Sequence, residues 1–87
     1  MRIIWSDEAW EEYLYWQTQD RKTLRRINRL VKDIERNGYD SIGKPEELKG
    51  DLAGFWSVRI DDCNRIVFKI VGNDLEIWQC GSHYRDK

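Results

Sequence analysis

Glu46, Arg65 and His83 are the side chains of this sequence whose types suit phosphoryl chemistry. When RNA is cut by its own 2′-hydroxyl group, a base takes the hydroxyl proton, a cation stabilises the phosphorane, and an acid protonates the leaving 5′ oxygen. We assign Glu46 as the candidate base, Arg65 as the cation and His83 as the acid. This scheme requires no metal ion and no cofactor.

The chemistry of each side chain supports its role. A guanidinium is planar, stays protonated and can hold two phosphate oxygens, which favours Arg65 for the central role, with Arg59 or Lys49 assisting. The reference pKa of histidine, about 6.5, suits an acid that works near neutral pH. A carboxylate in water is a weak base, so we expect the surrounding loop to bury Glu46 partly.

Each of these residues also has a purely structural explanation. A single histidine near a C-terminus is often a solvated surface residue, and Arg65 has Asp61 and Asp62 nearby for a surface ion pair. Glu46 in a loop is uninformative when it is considered alone. A metal site is disfavoured, because one histidine and two separated cysteines lack the spacing of known ligand sets.

Three β-strands are predicted in the second half of the chain, near 55–60, 64–71 and 74–80. Apolar and polar residues alternate in them, which is typical of strands with one buried face. The chain leaves the last strand at Gly81-Ser82. We therefore expect His83 to emerge at the end of the sheet that holds Arg65.

Two turns set the register of these strands. If the apolar faces are to meet one core, the first turn needs an odd number of residues, which places Arg59 opposite Arg65. The dipeptide Gly72-Asn73 fits a two-residue type II′ turn with glycine first. Counting back from that turn predicts that Arg65 lies opposite Cys80.

Two helices are predicted before the strands. After a short strand at 2–5, Ser6 is typical of an N-cap, and the aromatic-rich helix behind it should end near 17–19. Asp20 caps a second helix, which Asn37-Gly38 ends. One exposed stripe of this helix is basic and could meet phosphates, although a solvated face is the commoner explanation. The stripe consists of Arg25, Arg29, Lys32 and Arg36.

Residues 39–54 lack periodicity and contain several glycines and a proline, so a long loop is predicted there. The loop carries Lys44, Glu46 and Lys49, whose charges we expect it to bring to the site. The architecture that follows is α+β: an N-terminal strand, then a two-helix hairpin packed on one face of an antiparallel sheet.

Composition limits the class of protein. With 87 residues, we expect a single domain spanning 1–87. Basic residues are concentrated between 21 and 50 within a net charge of −1, so any contact with RNA should be local. Only two cysteines and no long apolar run predict a soluble cytoplasmic protein with reduced thiols, a Cys63–Cys80 bridge being a minor alternative. Neither cysteine has the partners of a catalytic thiol.

The sequence resembles a known family, the YoeB/Txe toxins of the RelE-type messenger-RNA interferases. It departs from that pattern at its end. Family members commonly stop at the tyrosine, whereas here Arg85-Asp86-Lys87 follow it. The similar segments span residues 1–84 and comprise Ile4-Trp5-Ser6, Tyr13-Leu14-Tyr15-Trp16, Gly43-Lys44-Pro45-Glu46, Leu48-Lys49, Gly54-Phe55-Trp56-Ser57, Arg59-Ile60, Arg65 and His83-Tyr84.

The resemblance implies a toxin that cleaves messenger RNA in the ribosomal A site and so stops translation. It also implies a YefM-type antitoxin that holds the toxin inactive, and it allows homodimers. The family's general base corresponds to Glu46, its phosphate-binding arginine to Arg65 and its acid to His83, with Tyr84 as a neighbouring contributor. Residues expected to bind RNA beside them are Lys44, Lys49 and Arg59.

Two other functions are compatible with the same scaffold. One is a binding protein similar to ParE-type toxins, which block a DNA gyrase and cut nothing. The other is a co-repressor that holds an antitoxin segment along the sheet edge or across the basic helix. The trio Glu46, Arg65 and His83 favours the nuclease, because a protein without nuclease activity has no use for all three.

Overall fold

The computed structural model describes residues 1–81, so the predicted site residues His83 and Tyr84 lie outside the described part. Within the described residues, two helices and five strands make up an α+β fold, which confirms the predicted class but adds one strand to the four that we had predicted. Two short 3₁₀ helices, Gly38–Asp40 and Gly50–Leu52, lie between α2 and β3. The main elements are β1 (Arg2–Trp5), α1 (Asp7–Gln19), α2 (Arg21–Asn37), β2 (Glu46–Glu47), β3 (Trp56–Arg59), β4 (Arg65–Val71) and β5 (Asp74–Gly81).

The sheet has the strand order β1-β5-β4-β3-β2. All neighbours are antiparallel except β1 and β5, which run parallel with Arg2 beside Asp74 and Trp5 beside Ile77. The sheet is therefore mixed, where we had predicted an antiparallel one. A parallel pair needs a crossover of a dozen or more residues, and the two helices that follow β1 form part of that long connection.

Both helices begin at the predicted capping residues. Ser6 Oγ accepts a hydrogen bond from the Ala9 amide at 3.0 Å and donates one to the Trp78 carbonyl, also at 3.0 Å. The Asp20 carboxylate accepts from the Thr23 hydroxyl at 2.8 Å and from the Lys22 amide at 3.1 Å. The bond from the Thr23 side chain is the main reason that the pKa of Asp20 lies below its usual value.

The core lies between the helix hairpin and one face of the sheet. Its sheet side is formed by the apolar sets that the alternation predicted, including Val58, Ile66 and Phe68. The helices contribute Ala9 from α1 and the α2 residues Ile27, Val31 and Ile34. Within residues 1–81, neither helix is long and apolar enough to cross a membrane.

The register of the strands agrees with the prediction except near the end of β5. Arg59 lies opposite Arg65, as predicted. The prediction that Arg65 lies opposite Cys80 is wrong, because the register shifts between Val67 and Phe68 and Arg65 instead faces Gly81. The shift places one additional residue, Trp78, in β5. As a result, Cys80 turns from the outer face into the core.

Glu12 and Trp16 of α1 bind the backbone of β5 where β1 no longer covers it. Glu12 Oε1 accepts a hydrogen bond from the Cys80 amide at 2.6 Å, and Trp16 Nε1 donates one to the Cys80 carbonyl at 2.8 Å. Glu12 is 2% exposed. These two side chains take the place of a strand neighbour for Cys80.

The contact between Glu12 and Cys80 predicts that alanine substitutions of two neighbouring glutamates of α1 differ in their effect on the free energy of unfolding. Glu12→Ala leaves the buried Cys80 amide without its carboxylate partner, which should lower the free energy of unfolding by about 1–3 kcal/mol. Urea denaturation followed by tryptophan fluorescence measures the change. Glu11→Ala removes an exposed glutamate from the same helix and should stay within about 0.5 kcal/mol of the parent. Equal stability of the two variants would contradict this role.

The two cysteines are free and differ in their environment, since Cys63 is exposed and Cys80 is buried. Burial, with a further contribution from the charge of Glu12, raises the pKa of the Cys80 thiol to about 12. A raised pKa keeps a thiol protonated at pH 8, and only the thiolate reacts with a disulfide reagent. The native chain should therefore present one reactive thiol.

Titration with a chromogenic disulfide reagent at pH 8 tests this expectation. We expect one thiol per chain in buffer and two in concentrated denaturant, and Cys63→Ser should leave none in buffer. Rapid reaction of the Cys63→Ser variant under native conditions would show that Cys80 is accessible.

Candidate active site

Arg65, at the start of β4, is held by two residues that precede it in the chain. Its Nη1 donates a hydrogen bond to Ser57 Oγ at 2.8 Å and another to Glu46 Oε1 at 3.4 Å. Ser57 is buried, whereas the side chain of Arg65 is 41% exposed. The guanidinium is thus fixed at one nitrogen and open to solvent along part of its fork.

Strand pairing brings Glu46 to Arg65. Glu46 belongs to β2, which we had predicted to be loop, and it pairs with Ser57 of β3. The predicted burial of Glu46 is wrong, because its side chain is 72% exposed. The reason is that β2 is the last strand of the sheet, and such an edge strand has a neighbour on one side only.

The ion pair that we considered as an alternative for Arg65 does not form with Asp61. Asp61 instead accepts hydrogen bonds within its own turn, from the Cys63 amide at 2.8 Å and the Asn64 amide at 2.9 Å. Although burial raises the pKa of Asp61, these hydrogen bonds outweigh it and hold the pKa below its usual value. Within residues 1–81, the salt-bridge partner of Arg65 is Glu46.

Most of the predicted site residues that the structure describes line one cavity of about 370 Å³, called the phosphate cavity below, after the ligand that we propose for it. Glu46 and Arg65 lie there together with Lys44 and Arg59, which we had expected to contact RNA. The predicted RNA-binding residue Lys49 does not line it. The lining comprises Arg26, Leu30, Ile42, Gly43, Lys44, Glu46, Ser57, Arg59 and Arg65.

The charges of the phosphate cavity favour an anion. Four cationic side chains surround the single carboxylate of its lining, so the field there is positive although the whole chain carries −1. Guanidinium groups in such a setting bind phosphate oxygens in pairs. Among residues 1–81, no three His, Cys, Asp or Glu side chains lie close enough together to hold a metal ion.

The loop that carries Lys44 is tied to α2. Asp33 accepts hydrogen bonds from the amides of Ile42 at 2.6 Å and Gly43 at 3.3 Å. Gly43 packs so closely that an added Cβ would lie 3.1 Å from Leu30 and 3.3 Å from Val58. Lys44 itself has a φ of 56°, in the left-handed region that lysine rarely adopts. This turn places the lysine at the rim of the phosphate cavity.

Two polar side chains of the cavity, those of Ser57 and Arg26, were not among the candidates from sequence. Ser57 holds Arg65, and its place on the polar side of β3 was visible in the alternation of that strand. Arg26 lies on α2 beside the predicted basic stripe, and its Nε donates a hydrogen bond to the Ile60 carbonyl. The sequence could have indicated Arg26, because it lies three residues before Arg29 and residues three apart are neighbours on a helix.

The basic stripe of α2 borders a second, larger cavity of about 580 Å³. All four predicted stripe residues are exposed. Arg29, Lys32 and Arg36 line the cavity, whereas Arg25 does not. Arg26 lines this cavity as well as the phosphate cavity, so the two are adjacent. The structure therefore extends the basic surface from the phosphate cavity along α2.

Comparison with known sequences gives consistent matches over almost the whole chain. The family model of the YoeB-like toxin of bacterial type II toxin-antitoxin systems matches residues 5–84. Toxin YoeB of Streptomyces coelicolor is 50% identical over 84 residues, which are 97% of this chain and 100% of that protein. Toxin YoeB of Escherichia coli K12 is 45% identical with the same coverage.

Solved structures with the same fold cover 97% of this chain as well. The YoeB/ParE toxin from Agrobacterium tumefaciens superposes with a TM-score of 0.90 at 40% identity over 100% of its own chain. A chain of the YoeB-YefM complex from Staphylococcus aureus gives 0.89 at 41% identity over 98% of its length. A chain of the Staphylococcus aureus YoeB dimer gives 0.86 at 42%, also over 98%.

The family match, the identity of these relatives and the agreement in fold confirm the resemblance that the sequence motifs indicated. The chain belongs to the YoeB-like toxins of bacterial type II toxin-antitoxin systems.

Proposed function

We propose that this protein is an endoribonuclease that cleaves messenger RNA in the ribosomal A site, without a metal ion, and thereby stops translation in the cytoplasm. The observation that carries the proposal is the position of Arg65, which is fixed by Ser57 and contacts Glu46 at the wall of a cation-lined cavity. This arrangement offers a base and a phosphate-binding group within one binding region.

In the proposed reaction Arg65 binds the scissile phosphate. Its bond to Ser57 uses one guanidinium nitrogen, so other N–H groups of the fork remain available for phosphate oxygens. These groups would stabilise the charge of the phosphorane as it develops. Arg59 and Lys44, at the same cavity, would hold flanking oxygens.

Glu46 is the proposed base for the 2′-hydroxyl proton. Its exposed carboxylate at the edge of the sheet can be reached by a large substrate, and its weak contact with Arg65 at 3.4 Å can be exchanged. His83 is the proposed acid for the 5′ oxygen, with Tyr84 beside it. In the sequence both residues come shortly after Gly81, and Gly81 lies opposite Arg65 in the sheet.

The remaining basic residues would guide longer RNA to the site. Lys49 is exposed two residues beyond the end of β2, and we assign it to a phosphate outside the cavity. The stripe on α2 offers further contacts for the phosphate backbone. Because cations that neutralise phosphates release the counterions of the RNA, binding should weaken as salt concentration rises.

A YefM-like antitoxin is the proposed inhibitory partner. This proposal is supported by the similarity of the chain to the toxin in the YoeB-YefM complex from Staphylococcus aureus. The YoeB dimer from the same organism supports a homodimer in the absence of that partner.

Single substitutions test the three catalytic roles. Arg65→Ala, Glu46→Gln and His83→Gln should each reduce cleavage of a translated message by roughly 10²–10⁴-fold, since each removes one of the groups that the reaction needs. Primer extension on RNA recovered from a cell-free translation reaction measures the cut ends. Arg21→Ala is the matched control, because this exposed arginine at the start of α2 lies outside the basic stripe and lines neither of the two cavities.

Two results would overturn the proposal. If Arg65→Ala and His83→Gln cut as efficiently as the parent, the assigned residues would not be catalytic. If the parent arrested growth but left translated messages uncut, a gyrase-blocking toxin would be the better explanation.

A further inference from the structure

The face of the sheet that the helices leave uncovered contains a separate cavity of about 410 Å³. Its volume falls within the range of about 300–1,000 Å³ that is usual for small-molecule sites. Apolar walls are provided by Leu48, Leu52 and Val67, and Gln79 lies beside them. This space is called the outer cavity below.

The outer cavity adjoins the phosphate cavity and shares part of its wall. Arg65 and Ser57 line both of them. Strand pairing brings Ser57 to the outer cavity. Ser57 lies opposite Val67 and Val67 lies opposite Gln79, so the three residues form a row across the outer face. Adjacent strands are about 4.8 Å apart, which places Gln79 about 10 Å from Ser57 across the sheet.

The register shift in β5, a β-bulge at Trp78, gives Gln79 this position. Without the additional residue Trp78, strict alternation from Ile77 would turn residue 79 into the core. With the bulge, Gln79 pairs with Val67 on the outer face. Its side-chain amide is partly exposed and makes no hydrogen bond to another residue of the described part of the chain, 1–81.

These features match the chemistry of a nucleobase. A base is flat and largely apolar on its faces, so it can lie against aliphatic walls, while its edge carries donors and acceptors. A glutamine amide has both donor and acceptor atoms, and such side chains read base edges in other complexes. Because Arg65 forms a shared wall, a phosphate bound there would leave the base of an adjoining nucleotide beside the outer cavity.

We propose that the outer cavity binds a nucleobase next to the scissile phosphate, and that Gln79 determines which base is preferred. The inference rests on the proposed nuclease function and adds to it the residue that sets sequence preference. An antitoxin side chain in the same space is the competing occupant. The nucleobase is favoured because the phosphate-binding arginine forms part of the cavity.

The test uses two variants with the same change in charge. Gln79→Glu keeps the shape of the side chain but replaces its N–H donors by an acceptor, whereas Gln17→Glu makes that change at an exposed position of α1. Parent and variants are each added to a cell-free translation reaction, and all RNA ends are sequenced. The measured quantity is the frequency of each base beside the cut, normalised to the total number of cuts.

We expect Gln79→Glu to change the ratio of bases at one position beside the cut on the order of tenfold, and Gln17→Glu to reproduce the parental profile. Leu52→Ala is a second variant, chosen because Leu52 is 45% exposed and its loss should leave folding intact. It should reduce cutting several-fold at all sites, because one wall of the cavity is removed.

The outcomes separate this inference from the function on which it rests. If the parent cuts messages but Gln79→Glu and Leu52→Ala both retain its base frequencies and efficiency, the nucleobase site is wrong while the nuclease stands. If Gln79→Glu weakens antitoxin binding and leaves the cutting profile unchanged, the competing occupant is correct. If the parent cuts nothing, both proposals fail.

Discussion

The end of β5 depends on two hydrogen bonds from α1. Since β1 pairs with β5 only as far as Ile77, the backbone groups of Cys80 have no strand beside them on that side. Glu12 and Trp16 satisfy both groups, the amide and the carbonyl. A buried carboxylate is costly unless it is hydrogen-bonded, so this contact fixes α1 and the strand end relative to each other. Gly81, opposite Arg65, follows directly from this fixed point.

The candidate site joins this fixed strand end to the least protected edge of the sheet. Arg65 is the connecting residue, because its strand pairs with β5 on one side and with β3 on the other. Ser57 holds the arginine from within, and Glu46 contacts it from the exposed β2. Ser57, which holds the arginine, is thus buried, while Glu46 and part of the Arg65 side chain are open to solvent.

The sequence predicted those features that local rules determine. The caps at Ser6 and Asp20, the Gly72-Asn73 turn and the pairing of Arg59 with Arg65 each depend on a few adjacent residues. Grouping Arg65 with Glu46 required the family motif as well, because a glutamate in a glycine-rich segment has no periodicity to place it. The motif could indicate the role, but only the pairing of β2 with β3 shows how the carboxylate reaches the arginine.

The predictions that were wrong share a physical cause, because all of them depend on contacts between segments that are distant in the sequence. A bulge such as the one at Trp78 interrupts alternation without a glycine to mark it, so counting from the turn assigned Cys80 to the wrong face. The direction of β1 depends on the crossover, and the exposure of Glu46 depends on β2 having no outer neighbour.

In the resting protein, Glu46 and Arg65 partly neutralise each other at 3.4 Å. An exposed pair of this kind contributes little to stability, so an arriving phosphodiester can displace the carboxylate from the guanidinium at low cost. In the proposed reaction that exchange has two effects. The phosphate gains the charge-assisted hydrogen bonds of Arg65, and the carboxylate is released beside the nucleotide whose proton it must take. The open edge that left Glu46 unburied would then be what permits the exchange.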